Sequence, residues 1–280
     1  YKHKIKLVGD RSLSKRDFLR IIKPLKLFGV NIKSKKNYLP IEIQGSEFLR
    51  PIDYVENLGS AQCKTSIMFA ALNTPGVTKI TAKKSRNHTE LLFKYLKIPV
   101  RIKSKNNFDI IEVNGLNQFN SFDYVIPGDI SSSAFFIVLT ILSKNSEITI
   151  KRVNVNDSRI GIIKILNKMN SKIIFKNRIN YKGEKIADIH IESSKSLKAI
   201  NSPSILNTSA IDEFLLLFLV AAKAKGVSIF KNLSELNQKE SPRLLWGSKI
   251  LSKMGIKNIV NKNSIKIYGN PNLKIDKKII

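Results

Sequence analysis

One local grammar recurs along this chain and limits what it can fold into: a Gly or Asp, an apolar helix, a short strand, a polar loop, a second helix and a further strand. Three copies are recognisable. The first follows Gly59, with predicted helices over 60–74 and 88–98, strands over 77–83 and 100–105, and a closing stretch over 108–115. The second follows Gly128, with helices over 129–144 and 159–169 and strands over 146–153 and 171–177. The third begins near Asp212, with helices over 212–226 and 239–255 and strands over 227–232, 256–262 and 264–269. Residues 12–45 read as the second half of another unit, giving about three and a half copies.

The helices rest on apolar residues three or four apart, as at Ile160, Ile163, Leu166 and Met169, and the strands on Ile and Val alternating with Lys. Gly226 and Gly255 suit the left-handed position after a helix, while Asp212 and Ser131 suit N-caps. Each copy has an apolar face that it cannot bury alone, so the copies must pack on one another. An α/β fold with helices on sheets follows. The stretch Asn120–Pro127 reads as a connector, dividing the chain into residues 1–125 and 126–280.

The charge needs a separate explanation. Against 21 Asp plus Glu stand 49 Lys plus Arg, a net charge of +28 over 280 residues, which invites a nucleic-acid reading. A binding face would gather cations with interleaved aromatics. Here lysines recur in nearly every strand and helix beside frequent Asn and Ile, as a biased genome composition supplies them, so no nucleic-acid partner is expected. Cys63 is the only cysteine, which excludes an intrachain disulfide and points to a reducing, cytoplasmic compartment. It reads as a small buried residue. The longest apolar stretch, Phe214 to Ala222, falls short of the ~18 to 20 residues that span a bilayer, so no membrane association is expected. His3, His88 and His190 are isolated, giving no metal-ligand spacing. Trp246, at helical spacing from Ile250, reads as core.

Polar clusters interrupt the grammar at its loops and helix starts. Ser60, Ala61 and Gln62, with Lys64, open an apolar helix whose free N–H groups favour an anion or polyol; a Ser there also serves as a plain N-cap. Ser85 and Arg86 can grip a phosphate, although Asn87 and Glu90 beside them also have capping-box spacing. Asp212, with Lys239, Glu240 and Arg243, brings base, acid and cations together if two helix starts converge; capping and helix-surface salt bridges are the alternative. Gly9-Asp10 with Lys15-Arg16 forms a fourth charged turn.

Taken in order, Gly9-Asp10…Ser14-Lys15-Arg16, Ser60-Ala61-Gln62-Cys63-Lys64-Thr65, Ser85-Arg86-Asn87-His88-Thr89-Glu90, Gly128-Asp129-Ile130-Ser131-Ser132, Ile211-Asp212-Glu213 and Lys239-Glu240-Ser241-Pro242-Arg243 resemble the EPSP synthases (3-phosphoshikimate 1-carboxyvinyltransferases) over nearly the whole chain. The resemblance implies two globular domains of βαβαββ units, an inside-out α/β barrel, incomplete here: 1–125 would be the latter part of one domain and 126–280 the larger part of the other. It also implies enolpyruvyl transfer from phosphoenolpyruvate to the 5-hydroxyl of shikimate 3-phosphate, on the route to chorismate and aromatic amino acids. By the same resemblance the enzyme is a monomer and uses no metal or organic cofactor.

Carried over by position, Ser60, Ala61, Gln62, Ser85, Arg86, Asp212 and Lys239 would bind shikimate 3-phosphate, and Arg16, Gln62 and Arg243 would bind phosphoenolpyruvate. Asp212 would act as base, and Glu240 would protonate the methylene carbon of phosphoenolpyruvate. Asn87 stands where many members have Asp, Asn237-Gln238 where Arg-Val is usual, and Ile130 where Pro or Ala is commoner. The family's N-terminal Lys-Ser motif, Gly-rich turn and C-terminal Asp-His-Arg segment have no counterpart in this sequence. The chain also begins without Met and stops in a strand-like stretch, so it is expected to be the central part of a longer enzyme and inactive alone. UDP-N-acetylglucosamine enolpyruvyl transferase is the nearest alternative, but its loop cysteine would fall near Arg16, where this chain has none.

Overall fold

Alternating Ile, Val and Lys build three-stranded and four-stranded sheets, and the apolar stripes between them lay helices on one face of each. The structure, a computed structural model, describes residues 3–238 and 241–274. The chain divides into two compact units, Tyr1–Asp123 and Tyr124–Ile280. Among the described residues no helix is long and apolar enough to cross a membrane.

The first unit opens with β1 (Lys4–Leu7), α1 (Leu19–Leu27), β2 (Asn31–Lys35) and β3 (Tyr38–Gln44), an antiparallel sheet in the order β1-β3-β2. The half unit expected over 12–45 is therefore α1, β2 and β3. Next come β4 (Asp53–Glu56), α2 (Ala61–Leu72), β5 (Val77–Lys83), α3 (His88–Tyr95), β6 (Val100–Lys105) and β7 (Phe108–Asn114). They form a sheet in the order β4-β5-β7-β6. Only β4 and β5 in it run parallel, with Glu56 level with Ala82. The core of this unit is in two parts: Ile22, Ile32 and Ile41 under α1, and a larger cluster around Ile67, Met68, Ile80, Phe93 and Ile111.

The second unit contains α4 (Ile130–Leu142), β8 (Glu147–Asn154), α5 (Gly161–Lys168), β9 (Lys172–Tyr181) and β10 (Glu184–Glu192), then α6 (Phe214–Lys223), β11 (Gly226–Phe230), α7 (Arg243–Lys253), β12 (Asn258–Asn261) and β13 (Ser264–Gly269). Its two antiparallel sheets have the orders β8-β10-β9 and β11-β13-β12. One continuous core joins their helices, and Phe214, Phe218 and Phe230 pack ring to ring within it, 5.4–6.0 Å apart. The predicted stripe of α5 faces this core, with Ile160, Ile163, Leu166 and Met169 all buried.

Several expectations need correction. The second copy does not end at Asn177: β9 turns through Lys182 and Gly183, both at positive φ, into β10, a strand that the sequence reading passed over. The N-cap of α4 is Asp129, whose Oδ2 accepts the Ser132 N–H at 3.2 Å, so Ser131 lies inside the first turn. The N-cap of α6 is Glu213, not Asp212. Gly255 takes a positive φ just after α7 and Gly226 one of 108° after α6, but Gly226 opens β11 two residues beyond the Ala224 C-cap. Trp246 is not core. It is 50% exposed, with the Lys249 ammonium 4.8 Å from its ring, because α7 buries Leu244, Gly247 and Leu251 instead. Cys63 is buried as expected.

Candidate active site

Each unit carries a polar cluster built from helix starts at the ends of strands. In the first unit, β4 and β5 are parallel neighbours, so the loops leaving their carboxyl ends open on the same edge of the sheet. Such edges gather ligand groups in α/β folds. The buried Glu56 carboxylate shapes the loop after β4 by accepting the N–H groups of Leu58 and Gly59, both at 2.9 Å. Gly59 takes a left-handed φ of 70°, and Ser60 then caps α2, its Oγ accepting the Cys63 N–H at 3.2 Å. The loop after β5 carries Ser85 and Arg86 into α3. The loops run side by side: a Cβ built on Gly59 would lie 3.8 Å from the Lys84 carbonyl oxygen.

The site residues expected in this unit are therefore brought together in part. Ser60, Ala61 and Gln62 form the first turn of α2, and Ser85 and Arg86 lie beside it. The Ser85 hydroxyl is buried with no hydrogen-bond partner among the described residues, an oxygen available to a ligand. Gln62 is held by Arg20 of α1, whose Nη2 donates to its Oε1 at 3.1 Å. Cys63 Sγ donates to the Arg20 carbonyl oxygen at 3.1 Å. Burial first, and then the Glu56 charge, push the Cys63 thiol up to about 11 against a smaller opposing effect of Arg20, so it stays protonated at neutral pH. Arg16 closes a short 3-10 turn, Leu13–Lys15, three residues before α1, and Asp10 caps that turn by accepting the Leu13 N–H at 2.7 Å.

Lys64 does not share in the anion site. It is fully buried and contacts Glu90 on α3, which also removes Glu90 from the capping box proposed with Asn87.

In the second unit Asp212, just before α6, accepts from Arg243, the first residue of α7, at 3.1 Å. The sequence placed these two in one cluster, and the fold joins them. Gly247 permits this, since a Cβ there would fall 2.8 Å from Phe218 and 3.0 Å from Leu215 on α6. The other two expected members, Lys239 and Glu240, lie outside the described residues.

A network that the sequence reading did not assemble stands next to this pair. Arg159, before α5, donates through Nη2 to Asp129 Oδ1 at 2.6 Å and to Ser131 Oγ at 2.8 Å. Ser131 in turn donates to Glu213 Oε1 at 2.5 Å, so one guanidinium ties together the starts of α4, α5 and α6. Partial burial opposes ionisation of Asp129, but Arg159 and the N–H groups of Ser132 and Ser131 outweigh it and hold the carboxyl below its ordinary range. The available signal was Gly128-Asp129, one of the quoted motifs; its partner Arg159 had no local mark. Chemically, the second unit offers a carboxylate as proton acceptor next to a guanidinium for a carboxylate or phosphate. The first offers hydroxyls, an amide, N–H groups and arginines for a phosphorylated polyol.

The family model for EPSP synthase (3-phosphoshikimate 1-carboxyvinyltransferase) matches residues 2–276. The 3-phosphoshikimate 1-carboxyvinyltransferase of Ruthia magnifica subsp. Calyptogena magnifica is 39% identical over 264 residues, covering 94% of this chain and 60% of the relative. That of Clostridium tetani is 37% identical over 276 residues, covering 98% and 61%. The chain thus spans about three fifths of the length of these curated relatives. A solved EPSP synthase from Acinetobacter baumannii superposes with a TM-score of 0.83 at 35% identity, over 96% of this chain and 60% of that one. The enolpyruvyl transferase NikO from Streptomyces tendae, at 11% identity and a TM-score of 0.70 over 95% and 60%, shares the fold.

Proposed function

Because the chain belongs to the EPSP synthase family, we propose that it takes part in enolpyruvyl transfer from phosphoenolpyruvate to the 5-hydroxyl of shikimate 3-phosphate, giving 5-enolpyruvylshikimate 3-phosphate and phosphate on the route to chorismate. Ser60, Ala61, Gln62, Ser85 and Arg86 hold shikimate 3-phosphate. The buried, unpartnered Ser85 hydroxyl and the Ser60 helix start favour its phosphate. Arg16, Gln62 and Arg243 hold phosphoenolpyruvate, and Lys239 contacts the acceptor.

The chemistry is an addition followed by an elimination. Asp212 takes the proton of the attacking hydroxyl as the oxygen bonds to C2 of phosphoenolpyruvate, while Glu240 gives a proton to C3. Loss of a proton from the new methyl group and of phosphate from C2 then restores the double bond. Such a reaction needs a proton acceptor, a proton donor and cations for two polyanions, and no metal or organic cofactor enters it. We place the protein in the cytoplasm as a monomer.

The observation that carries the reading is the Asp212–Arg243 pair, a proton acceptor and an anion-binding guanidinium held 3.1 Å apart at two helix starts. The test is phosphate release from phosphoenolpyruvate by the protein expressed from its complete coding sequence. Release is expected only with shikimate 3-phosphate, and Glu240→Gln is expected to abolish it while leaving acceptor binding largely intact. Equal turnover with a UDP-amino sugar, or none with shikimate 3-phosphate, overturns the assignment.

A further inference from the structure

The first unit contains a charge pair that the reading above leaves without a task. Lys64 on α2 is fully buried and Glu90 on α3 is 3% exposed, with Nζ and Oε1 in direct contact. One residue away on each helix, the Thr65 and Thr89 hydroxyls meet at 2.7 Å. The second carboxylate oxygen of Glu90, Oε2, is also buried and has no hydrogen-bond partner among the described residues. A dry and incompletely satisfied ion pair is a poor way to gain stability, because apolar residues of similar volume hold two helices at least as well. What charge contact adds is direction, since it fixes how far one helix is displaced along the other.

That displacement matters at the helix starts. Ser60, Ala61 and Gln62 lie within the turn before Lys64, and Ser85 and Arg86 lie five and four residues before Glu90. We propose that Lys64 and Glu90 are a positioning pair that sets the register of α2 against α3, and so the geometry in which Ser60, Gln62, Ser85 and Arg86 meet the phosphorylated acceptor. The inference rests on the acceptor site proposed above. The pair touches no reactant; it acts through the two loops that do.

A positioning role separates from a structural one by which substrate suffers. In the protein expressed from its complete coding sequence, Lys64→Met/Glu90→Leu removes both charges while keeping volume. It is expected to keep its unfolding midpoint while the KM for shikimate 3-phosphate rises about tenfold or more, the scale on which a misplacement near 1 Å acts. The KM for phosphoenolpyruvate should rise less than that for the acceptor, because of its proposed ligands only Gln62 lies at these helix starts. Glu90→Asp keeps both charges and shortens one arm, so it is expected to raise the acceptor KM selectively even if the double variant fails to fold. An unchanged acceptor KM in either folded variant overturns the proposal, as does an equal loss for both substrates accompanied by a lowered midpoint. Wild-type protein that does not turn over shikimate 3-phosphate overturns the acceptor site itself; wild-type turnover with insensitive variants overturns the positioning pair alone.

Discussion

The two units face one structural problem, holding helix starts together at the ends of strands, and they meet it with opposite chemistry. In the first, the clamp is Lys64 against Glu90, sealed from water, with a hydroxyl pair beside it. In the second it is Arg159, only 15% exposed, reaching an Asp129 carboxylate that is 48% exposed, with Ser131 passing the linkage to Glu213. A lysine offers a point charge that suits one enclosed partner, whereas the planar arginine fork serves several acceptors and tolerates water on one side. The cores differ too. That of the first unit is split, with a small cluster under α1 and a larger one that α2 and α3 share; that of the second is continuous, and its network orients helix starts that apolar packing already holds.

The largest expected effect tests that contrast directly. Lys64→Met alone leaves the Glu90 carboxylate buried without its partner and is expected to destabilise the first unit by about 3–5 kcal/mol. Arg159→Met leaves the Asp129 carboxylate, which water can reach, and is expected to cost only about 1 kcal/mol. Hydrogen exchange resolved to the amides of α2 and α3, and to those of α4 and α5, measures the two losses within one protein. Equal losses would break the distinction between a dry and a wetted clamp.

Glycines at the helix starts sharpen it at an intermediate scale. Gly59 is required for its φ of 70° and not for lack of room, since a Cβ there meets nothing nearer than 3.6 Å. Gly161 at the start of α5 is required for space: a Cβ there would lie 2.4 Å from Ser209 Oγ and 2.7 Å from the Ser209 carbonyl carbon. Gly59→Asn should therefore cost under about 1 kcal/mol, because Asn accepts the left-handed region. Gly161→Asn should cost about 1–3 kcal/mol or more by overpacking. Urea midpoints of the two variants test this, and the reverse order would show that steric closeness, not backbone conformation, governs the first unit.

Much of this fold was legible because periodicity reports burial. The stripe through Ile160, Ile163, Leu166 and Met169 is buried throughout, and Val77–Lys83 and Val100–Lys105 form strands with the bounds that alternation sets. Periodicity fails where two faces carry apolar residues. Trp246 and Ile250 keep helical spacing along the outer side of α7, while Leu244, Gly247 and Leu251 face inward. At the site, single motifs were visible and their cross-chain partners were not. Nothing local marks Lys64 as a buried lysine, because that residue type is almost always at the surface. Arg20 on Gln62 and Arg159 on Asp129 are likewise contacts across 42 and 30 residues, which only tertiary packing creates.

The smallest expected effect is the pH response of the wetted clamp. The folded-state pKa of Asp129 lies below its ordinary value, so its charge stabilises the second unit above the usual carboxylate range, near pH 4. That contribution is lost as pH falls through the depressed folded value, when the native carboxylate finally takes a proton and Arg159 loses its partner. Asp129→Asn removes the charge yet keeps a side chain that caps a helix nearly as well, so the comparison isolates the ion pair. With the carboxylate about half exposed, water screens the pair and the difference at pH 7 should be only about 0.5 kcal/mol. Urea midpoints of wild type and variant should differ by a constant amount from pH 7 to 5 and converge below pH 4. Adding salt at pH 7 should narrow the gap as well, since a pair open to water is screened far more than one sealed between two helices. A gap that persists into strong acid, or ignores salt, would place the Arg159 clamp in the same dry class as Lys64 and Glu90.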